Sequence, residues 1–211
     1  GIEIDVRLTK DGVPILFHDE NLSTRLVKGD FMVGPVSNFT LDQLNRFTRL
    51  VNGEKIPTLL DALTTAVSET QLAFVWLDIK SPEVISTILP ILTSIRSLAT
   101  AQGRDIEIVI GLPTDDIYKA YLDIPEAERG TALCELSLDQ VRSVNASVWA
   151  PRWTLGTQTA SVIEMHGEQR RCFVWTLDAS IYIAQFLKES EFDGVLTNYP
   201  VVVAYLYYMR S

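Results

Sequence analysis

Two pairs of charged residues have the spacing of a shared strand face. Glu3 and Asp5 stand two apart in IEIDVRL, and Asp78 and Lys80 repeat this spacing in LAFVWLDIK. Alternate strand residues point to one side, so three carboxylates and an ammonium can meet in one cleft. Burying them is costly unless they are paired or bind an ion. The sequence leaves open a Ca²⁺ or Mg²⁺ site and an ion-pair network around Lys80.

The chain has two histidines, in different contexts. His18 lies in LFHD, where it is either hydrogen-bonded locally or, near a cation and a phosphate, a general acid or base. His166 lies in EMHGEQ, at an expected helix end before Gly167. We predict that His166 caps this helix by interacting with its dipole.

Three tryptophans stand at or near expected strand ends. Trp175 lies in FVWTLD, and Trp149 and Trp153 lie in SVWAPRW. An aromatic wall can hold an apolar or polyol part of a ligand, but tryptophans also fill cores. The sequence alone leaves both roles open.

The elements that must position these residues alternate between strands and helices. We predict seven strands from continuous apolar runs, marked by Glu3, Phe74, Ile108, Leu133, Trp149, Val174 and Val195. Such runs between helical segments favour a parallel sheet covered by helices. The strand count and the absence of a glycine-rich nucleotide turn favour a (β/α)8 barrel, short of one strand and one helix, over a doubly wound sheet. Glu3 and Asp5 should face its interior near the C-terminal end of their strand.

We predict a single domain over residues 1–211 with an excursion at about 20–57, because that polar segment is too long for an ordinary connection. It should contain a small helix at TLDQLNRF. Before it, KDG signals a turn into a second extended run, VPILFHD. After it, Thr58 should cap a helix. Pro90 is expected to kink or divide the helix that follows the Lys80 strand.

The composition and net charge of the chain limit the kinds of molecule that it is expected to bind. The chain is 47% hydrophobic, with a net charge of −9 at pH 7, which argues against a nucleic acid or an anionic membrane surface as main partner. We find no apolar stretch of the ~18 residues that span a bilayer, and expect PVVVAYLYYM to be a docked terminal helix or strand. Cys134 and Cys172 lack metal-type spacing and are expected to be buried free thiols.

Several segments together resemble the glycerophosphodiester phosphodiesterase family. They are GIEIDVRLTKDGVPILFHDENLSTRL, GPVSNFTLDQLNRF, EKIPTLLDAL, LDIK, CFVWTLD and FDGVLTNYP, in the family's order and approximate spacing. The E-x-D, L-T-x-D-G and H-D succession is the most specific part. The resemblance implies the same barrel, with an insertion after H-D that accounts for residues 20–57.

The resemblance also implies site roles. Glu3, Asp5 and Asp78 would hold a divalent cation, Ca²⁺ or Mg²⁺; Lys80 would lie near metal and phosphate. His18 would be catalytic, and Trp175 would line the substrate site. The sequence departs from the family where Asp78 replaces the usual Glu and Asn198 the common Asp. The family's H-R-G motif, which carries another catalytic histidine, and its E-N-T motif are missing.

The implied reaction is hydrolysis of a glycerophosphodiester to glycerol 3-phosphate and an alcohol. Two alternatives stay open: a sphingomyelinase D-like phospholipase, and a degenerate barrel that binds a phosphate ligand or a partner without turnover. We expect the chain to be an inactive, poorly soluble fragment, with a vacant strand position between the strands of Glu3 and Val195. The resemblance suggests an extracytoplasmic location, because many bacterial members of the family act there.

Overall fold

A computed structural model describes residues 1–29 and 33–209. Packing divides the chain into two compact units. The first comprises Gly1–Ile110 and Asp116–Gly130; the second comprises Gly111–Asp115 and Thr131–Ser211. The prediction of one domain over residues 1–211 stays a prediction.

The first unit contains the N-terminal strands and helices. Its strands are β1 (Ile2–Leu8), β2 (Pro14–Leu16), β3 (Asn21–Leu22), β4 (Val27–Lys28), β5 (Gly34–Pro35), β6 (Arg49–Leu50), β7 (Phe74–Ile79) and β8 (Glu107–Leu112), which ends in the second unit. Its helices are α1 (Leu41–Phe47), α2 (Leu59–Glu69), α3 (Glu83–Ala101) and α4 (Asp115–Leu122), with short 3-10 turns at Val36–Asn38 and Glu126–Glu128.

Strand β1 lies at the centre of this unit, in the order β8-β7-β1-β2. It pairs parallel with β7 over Ile2–Val6, a register that sets Asp5 opposite Asp78 and Glu3 opposite Trp76. Val6 and the β7 residues Val75, Leu77 and Ile79 are fully buried. The two strands thereby fix the spacing of the charged pairs.

Beyond this ladder, β1 continues into a hairpin. Val6–Leu8 pair antiparallel with β2, and Gly12 occupies the predicted turn with a φ of +76°, which favours glycine. Because the hairpin extends β1 to Leu8, Glu3 lies near the start of its strand. The expectation that it lies near the C-terminal end is wrong.

The segment 20–57 folds around its own apolar core. It contributes β3 to β6 and α1, and Thr40 caps α1 in a reciprocal capping box with Gln43. Its buried side chains pack with two residues of the β2 region, Ile15 and Phe17; they are Leu22, Val27, Val36, Leu44 and Ile56. Residues 30–32 of the segment lie outside the described residues.

Helix α3 runs unbroken through Pro90, so Pro90 does not divide the helix, and the alternative expectation of a kink stays a prediction. A helix-interior proline costs about 3 kcal/mol or more. Pro90 is exposed, while six residues on the other face are buried: Val84, Ile85, Ile88, Leu92, Ile95 and Ala99. Burial of a large aliphatic side chain contributes about 1.5–3 kcal/mol, so the buried face outweighs the proline.

By length and composition, helix α3 contradicts the expectation that no apolar stretch reaches the ~18 residues that span a bilayer. Among the described helices, α3 meets that criterion by length and composition, with 19 residues and a mean hydropathy of 1.5. A core helix of a soluble protein meets it equally well. One third of the apolar 18-residue stretch within this helix is buried inside the structure.

The second unit contains four parallel strands in the order β9-β10-β11-β12. They are β9 (Ala132–Cys134), β10 (Val148–Trp149), β11 (Arg171–Val174) and β12 (Gly194–Val195). The helices are α5 (Leu138–Ser143), α6 (Thr159–Gly167), α7 (Ser180–Glu189) and α8 (Pro200–Tyr208), with a 3-10 turn at Trp153–Leu155. All seven predicted strands are therefore present, and the terminal apolar segment is a helix.

The two cysteines are buried and free, as predicted. Cys134 on β9 and Cys172 on β11 each lie opposite Trp149 of the intervening β10. Two inter-strand spacings, about 9–10 Å, exceed the Cα separation that a disulfide can bridge. The sheet register therefore keeps these thiols apart.

Candidate active site

Three carboxylates converge between β1 and β7. Glu3, Asp5 and Asp78 each offer an oxygen, and these oxygens lie within 4.8 Å of one another. The period-two alternation of β1 turns Glu3 and Asp5 to one side, and the parallel register brings Asp78 beside Asp5. The structure thus brings together the three residues that the sequence predicts as cation ligands.

Lys80 binds two of these carboxylates. Its Nζ lies 2.7 Å from Asp5 Oδ1 and 2.6 Å from Asp78 Oδ2, and its side chain is 19% exposed. Burial opposes the charge on Lys80, but hydrogen bonds to Asp5 and Asp78 outweigh it and raise the pKa of the ammonium. The ion-pair network left open by the sequence is therefore present.

Lys80 does not satisfy all the buried oxygens of the cluster. Within the described residues, Glu3 Oε1 and Asp78 Oδ1 are buried without a hydrogen-bond partner. Burial, then repulsion from Asp5 and Asp78, raises the pKa of Glu3 to about 8. Burial likewise raises the pKa of Asp78, although Lys80 opposes this. One ammonium is too little positive charge for three carboxylates, and the unpartnered oxygens suit a hard cation.

His18 follows β2 and is tied to β1 through the backbone. The Phe17 N–H donates to the Asp5 carbonyl at 3.1 Å, and Arg7 donates to the His18 carbonyl through Nε and Nη2 at 3.1 and 2.9 Å. The imidazole is 72% exposed, with Nδ1 2.8 Å from Asp19 Oδ1. A charge on His18 acts to lower the pKa of Asp78. His18 therefore has solvent access beside the carboxylates.

Asp19 orients the ring of His18. The hydrogen bonds from His18 and then from Arg25 lower the pKa of Asp19. An ionised carboxylate only accepts hydrogen bonds, so His18 donates from Nδ1. Its Nε2 is the ring nitrogen left to exchange a proton with a ligand.

Arg7 is a site residue that the sequence analysis missed. It shares the β1 face of Glu3 and Asp5 by the same alternation, a signal that could have found it. Burial lowers the pKa of Arg7, opposed by the carboxylates Glu20 and Asp5. Arg7 thus connects the carboxylate cluster to the loop that carries His18.

A cavity of about 590 Å³ opens beside Lys80. Its walls come from the ends of β1 and β7, the start of α3 and the segment 20–57. The lining includes three cations and two carboxylates: Arg7, Lys10, Lys80, Glu20 and Glu83. A polar, charged small molecule fits these dimensions.

Trp175 lies in the second unit, at the end of β11. Its Nε1 donates to the Ala150 carbonyl at 2.7 Å, and the Arg152 guanidinium stacks 4.5 Å from its ring. Trp149 is buried, and Trp153 packs against Tyr182. The role of Trp175 in lining a substrate site stays a prediction.

Asn198 and His166 also lie in the second unit. Asn198 donates to Asp178 through its backbone and side chain, at 2.9 and 2.8 Å. These bonds lower the pKa of Asp178, so a charge persists next to the position where Asn198 replaces the family's common Asp. His166 lies in the last turn of α6 as expected, but its Nε2 contacts Asp193 at 2.9 Å.

Comparison with known proteins identifies the family. Residues 1–117, more than half of the chain, match the model of the glycerophosphoryl diester phosphodiesterase family. The chain belongs to this family. A glycerophosphodiester phosphodiesterase from Caldanaerobacter subterraneus is 40% identical over 67 residues, which cover 29% of this chain and 26% of that protein. Human glycerophosphodiester phosphodiesterase 1 is 31% identical over 82 residues, 35% of this chain and 24% of the human protein.

Solved structures of the glycerophosphodiester phosphodiesterase family confirm the barrel fold. A structure from Parabacteroides distasonis aligns with a TM-score of 0.75 and 19% identity, covering 100% of this chain and 84% of that one. A phosphodiesterase from Oleispira antarctica, in complex with the product sn-glycerol-3-phosphate, aligns with a TM-score of 0.74 and 18% identity, covering 97% and 83%. The matches to the curated relatives span only about a quarter of their length.

Proposed function

We propose that this chain carries the catalytic site of a divalent-cation-dependent glycerophosphodiester phosphodiesterase. It would hydrolyse a glycerophosphodiester to glycerol 3-phosphate and an alcohol. The convergence of Glu3, Asp5 and Asp78 beside Lys80, with two buried oxygens unpartnered, carries this proposal. Family membership and the product bound to the Oleispira relative support the reaction class.

Glu3, Asp5 and Asp78 would hold Ca²⁺ or Mg²⁺. Three carboxylates are the donor set these ions prefer, and the excess negative charge of the cluster favours a cation. The bound cation would neutralise phosphate oxygens and bind the glycerol hydroxyl, the proposed internal nucleophile. The metal-ligand roles of the three residues are part of this proposal.

Lys80 would place positive charge against the phosphoryl oxygens. Its ammonium is fixed by Asp5 and Asp78 at 2.7 and 2.6 Å, so little reorganisation is needed as charge develops in the transition state. The cavity beside Lys80 would receive the polar parts of the small-molecule substrate.

His18 would exchange a proton with an attacking or departing oxygen. With Nδ1 donating to Asp19, Nε2 would accept the proton of the nucleophilic hydroxyl, and the resulting imidazolium would return a proton to the leaving alcohol. This step leaves a cyclic glycerol phosphate. The neutral Nε2 would then accept a proton from a water that attacks the phosphorus and return it to the ring oxygen that leaves, which opens the ring to glycerol 3-phosphate. Asp19 would hold the tautomer and stabilise the charged ring. Trp175 would line the substrate site.

The test is hydrolysis of glycerophosphocholine and glycerophosphoethanolamine, followed by enzymatic detection of glycerol 3-phosphate. The protein with its natural N-terminus should require Ca²⁺ or Mg²⁺ and lose activity in a chelator. Asp78→Asn should abolish turnover, whereas Asp139→Asn, at a carboxylate 96% exposed on α5, should not.

The products separate the alternatives. A cyclic phosphate as final product would favour a sphingomyelinase D-like phospholipase. Phosphate-ligand binding without turnover, under any divalent ion, would favour the degenerate barrel.

A further inference from the structure

A second cluster of metal-ligating side chains lies in the second unit. His166, Cys172 and Asp193 each present one donor atom, and these atoms lie within 4.8 Å of one another. His166 belongs to the last turn of α6, Cys172 to β11, and Asp193 directly precedes β12. Three separate segments of the second unit thus bring a nitrogen, a sulfur and an oxygen to one place.

Backbone hydrogen bonds hold this cluster in register. The Cys172 N–H donates to Asp193 Oδ2 at 2.7 Å, and the Asp193 N–H donates to the Cys172 carbonyl at 2.8 Å. His166 Nε2 lies 2.9 Å from the same Oδ2. The carboxylate is therefore oriented by the sheet, as supporting hydrogen bonds orient metal ligands in proteins.

The donor set differs in kind from that of Glu3, Asp5 and Asp78. An imidazole, a thiolate and a carboxylate suit zinc and similar first-row ions, while Ca²⁺ and Mg²⁺ prefer oxygen alone. Three protein ligands leave a fourth zinc position for water. His166 and Asp193 are partly exposed, which gives an ion access from solvent.

We propose that His166, Cys172 and Asp193 form a binding site for zinc(II) or a similar first-row divalent ion. The proposal does not depend on the phosphodiesterase activity. The ion would tie the end of α6 to β11 and to the start of β12. Ligation requires the thiolate of Cys172, so binding would release the thiol proton to solvent.

The test is titration of the reduced protein with Co²⁺, recorded by near-ultraviolet absorbance. Thiolate ligation gives a sulfur-to-cobalt charge-transfer band, which the all-oxygen cluster of the first unit cannot produce. We expect one equivalent of Co²⁺ to give this band, and Zn²⁺ to displace it. His166→Ala and Asp193→Asn should each weaken Co²⁺ binding at least ~10-fold, because loss of a ligand should cost no less than loss of a residue that only supports a ligand.

Cysteine variants complete the design. Cys172→Ser should abolish the band, and Cys134→Ser, at the other buried thiol, should retain it. Absence of the band at millimolar Co²⁺, a band that survives Cys172→Ser, or unchanged affinity in both His166→Ala and Asp193→Asn would each overturn the site. His166→Ala removes a partly exposed side chain, so it reports on binding even if Cys172→Ser folds poorly.

Discussion

Lys80 contacts Asp78 through one carboxylate oxygen only. Nζ lies 2.6 Å from Oδ2, whereas Oδ1 is buried without a partner in the described part of the chain. An ammonium and a cation can therefore use different oxygens of the same residue. At Asp5, however, a bound cation would have to share the carboxylate with the Lys80 ammonium, which lies 2.7 Å from Oδ1. Lys80 should consequently lower cation affinity while assisting chemistry.

Lys80→Met should bind Ca²⁺ more tightly and yet lose activity. Removal of one positive charge from beside three carboxylates should raise the Ca²⁺ affinity at least ~10-fold, or about 1.4 kcal/mol, measured by isothermal titration calorimetry. Loss of a preorganised charge at the phosphate should lower kcat about 10²-fold. Lys188→Met, on the exposed side of α7, serves as the control and should change neither quantity. Unchanged or weaker Ca²⁺ binding by Lys80→Met would contradict this account.

Without divalent ions, the stability of the protein should fall as pH rises from about 5 to 8. The pKa of Glu3 is about 8 in the folded chain and 4.5 ordinarily, so between these values the folded state binds more protons than the unfolded state. Stability linked to Glu3 is thus full below pH 4.5 and is lost as pH rises through 8. Urea unfolding at several pH values measures this slope.

Glu3→Gln should flatten that slope, because the amide does not titrate. Saturating Ca²⁺ should flatten it in the unsubstituted protein, since the ion takes the place of the proton. An equal slope in Glu3→Gln would assign the pH dependence to other groups.

His18→Ala should lower kcat about 10²–10⁴-fold, the usual contribution of a general acid or base. Ca²⁺ affinity should stay nearly constant, because His18 is 72% exposed and outside the carboxylate cluster. Asp19→Asn should have a smaller effect on kcat, since it removes orientation rather than the proton carrier. An unchanged kcat in His18→Ala would show that another group exchanges the proton.

Arg7 is expected to act as a positioning residue for His18. Its two hydrogen bonds to the His18 carbonyl require the guanidinium fork, so Arg7→Lys keeps the charge but loses the geometry. We expect kcat to fall at least ~10-fold, the scale of small misplacements near reacting groups, with KM nearly unchanged. An unchanged kcat in Arg7→Lys, which keeps the positive charge, would instead indicate that Arg7 acts through its charge in substrate binding.

The strand-borne part of the site was predictable because strand periodicity is strict. Once two runs are identified as strands, the faces of Glu3, Asp5, Asp78 and Lys80 follow from counting by two. The seven strand positions follow similarly from apolar runs. The excursion at 20–57 followed from the length of a polar segment, whereas the catalytic role of His18 and the substrate-lining role of Trp175 were implied by the resemblance.

Features that depend on long-range pairing could not be read from the sequence. The turn at Gly12 was predicted, but the pairing of β1 with β2, which extends β1 to Leu8 and leaves Glu3 near the start of its strand, was not. Helix α3 survives Pro90 because its opposite face is buried. The contact of His166 with Asp193 joins residues 27 positions apart, so a local helix-end argument could not find it.

The separate apolar core of the segment 20–57 has a consequence for how this scaffold could be retargeted. Glu20, Val36 and Ser37 of that segment form one wall of the cavity, while Arg7 on β1 and Lys80, directly after β7, lie on the other. The segment packs mainly around its own apolar side chains, so the uncharged Ser37 can be exchanged without removing a charge next to the cluster on the other wall. Libraries confined to Ser37 would therefore explore new leaving alcohols while Glu20 keeps its electrostatic interaction with Arg7.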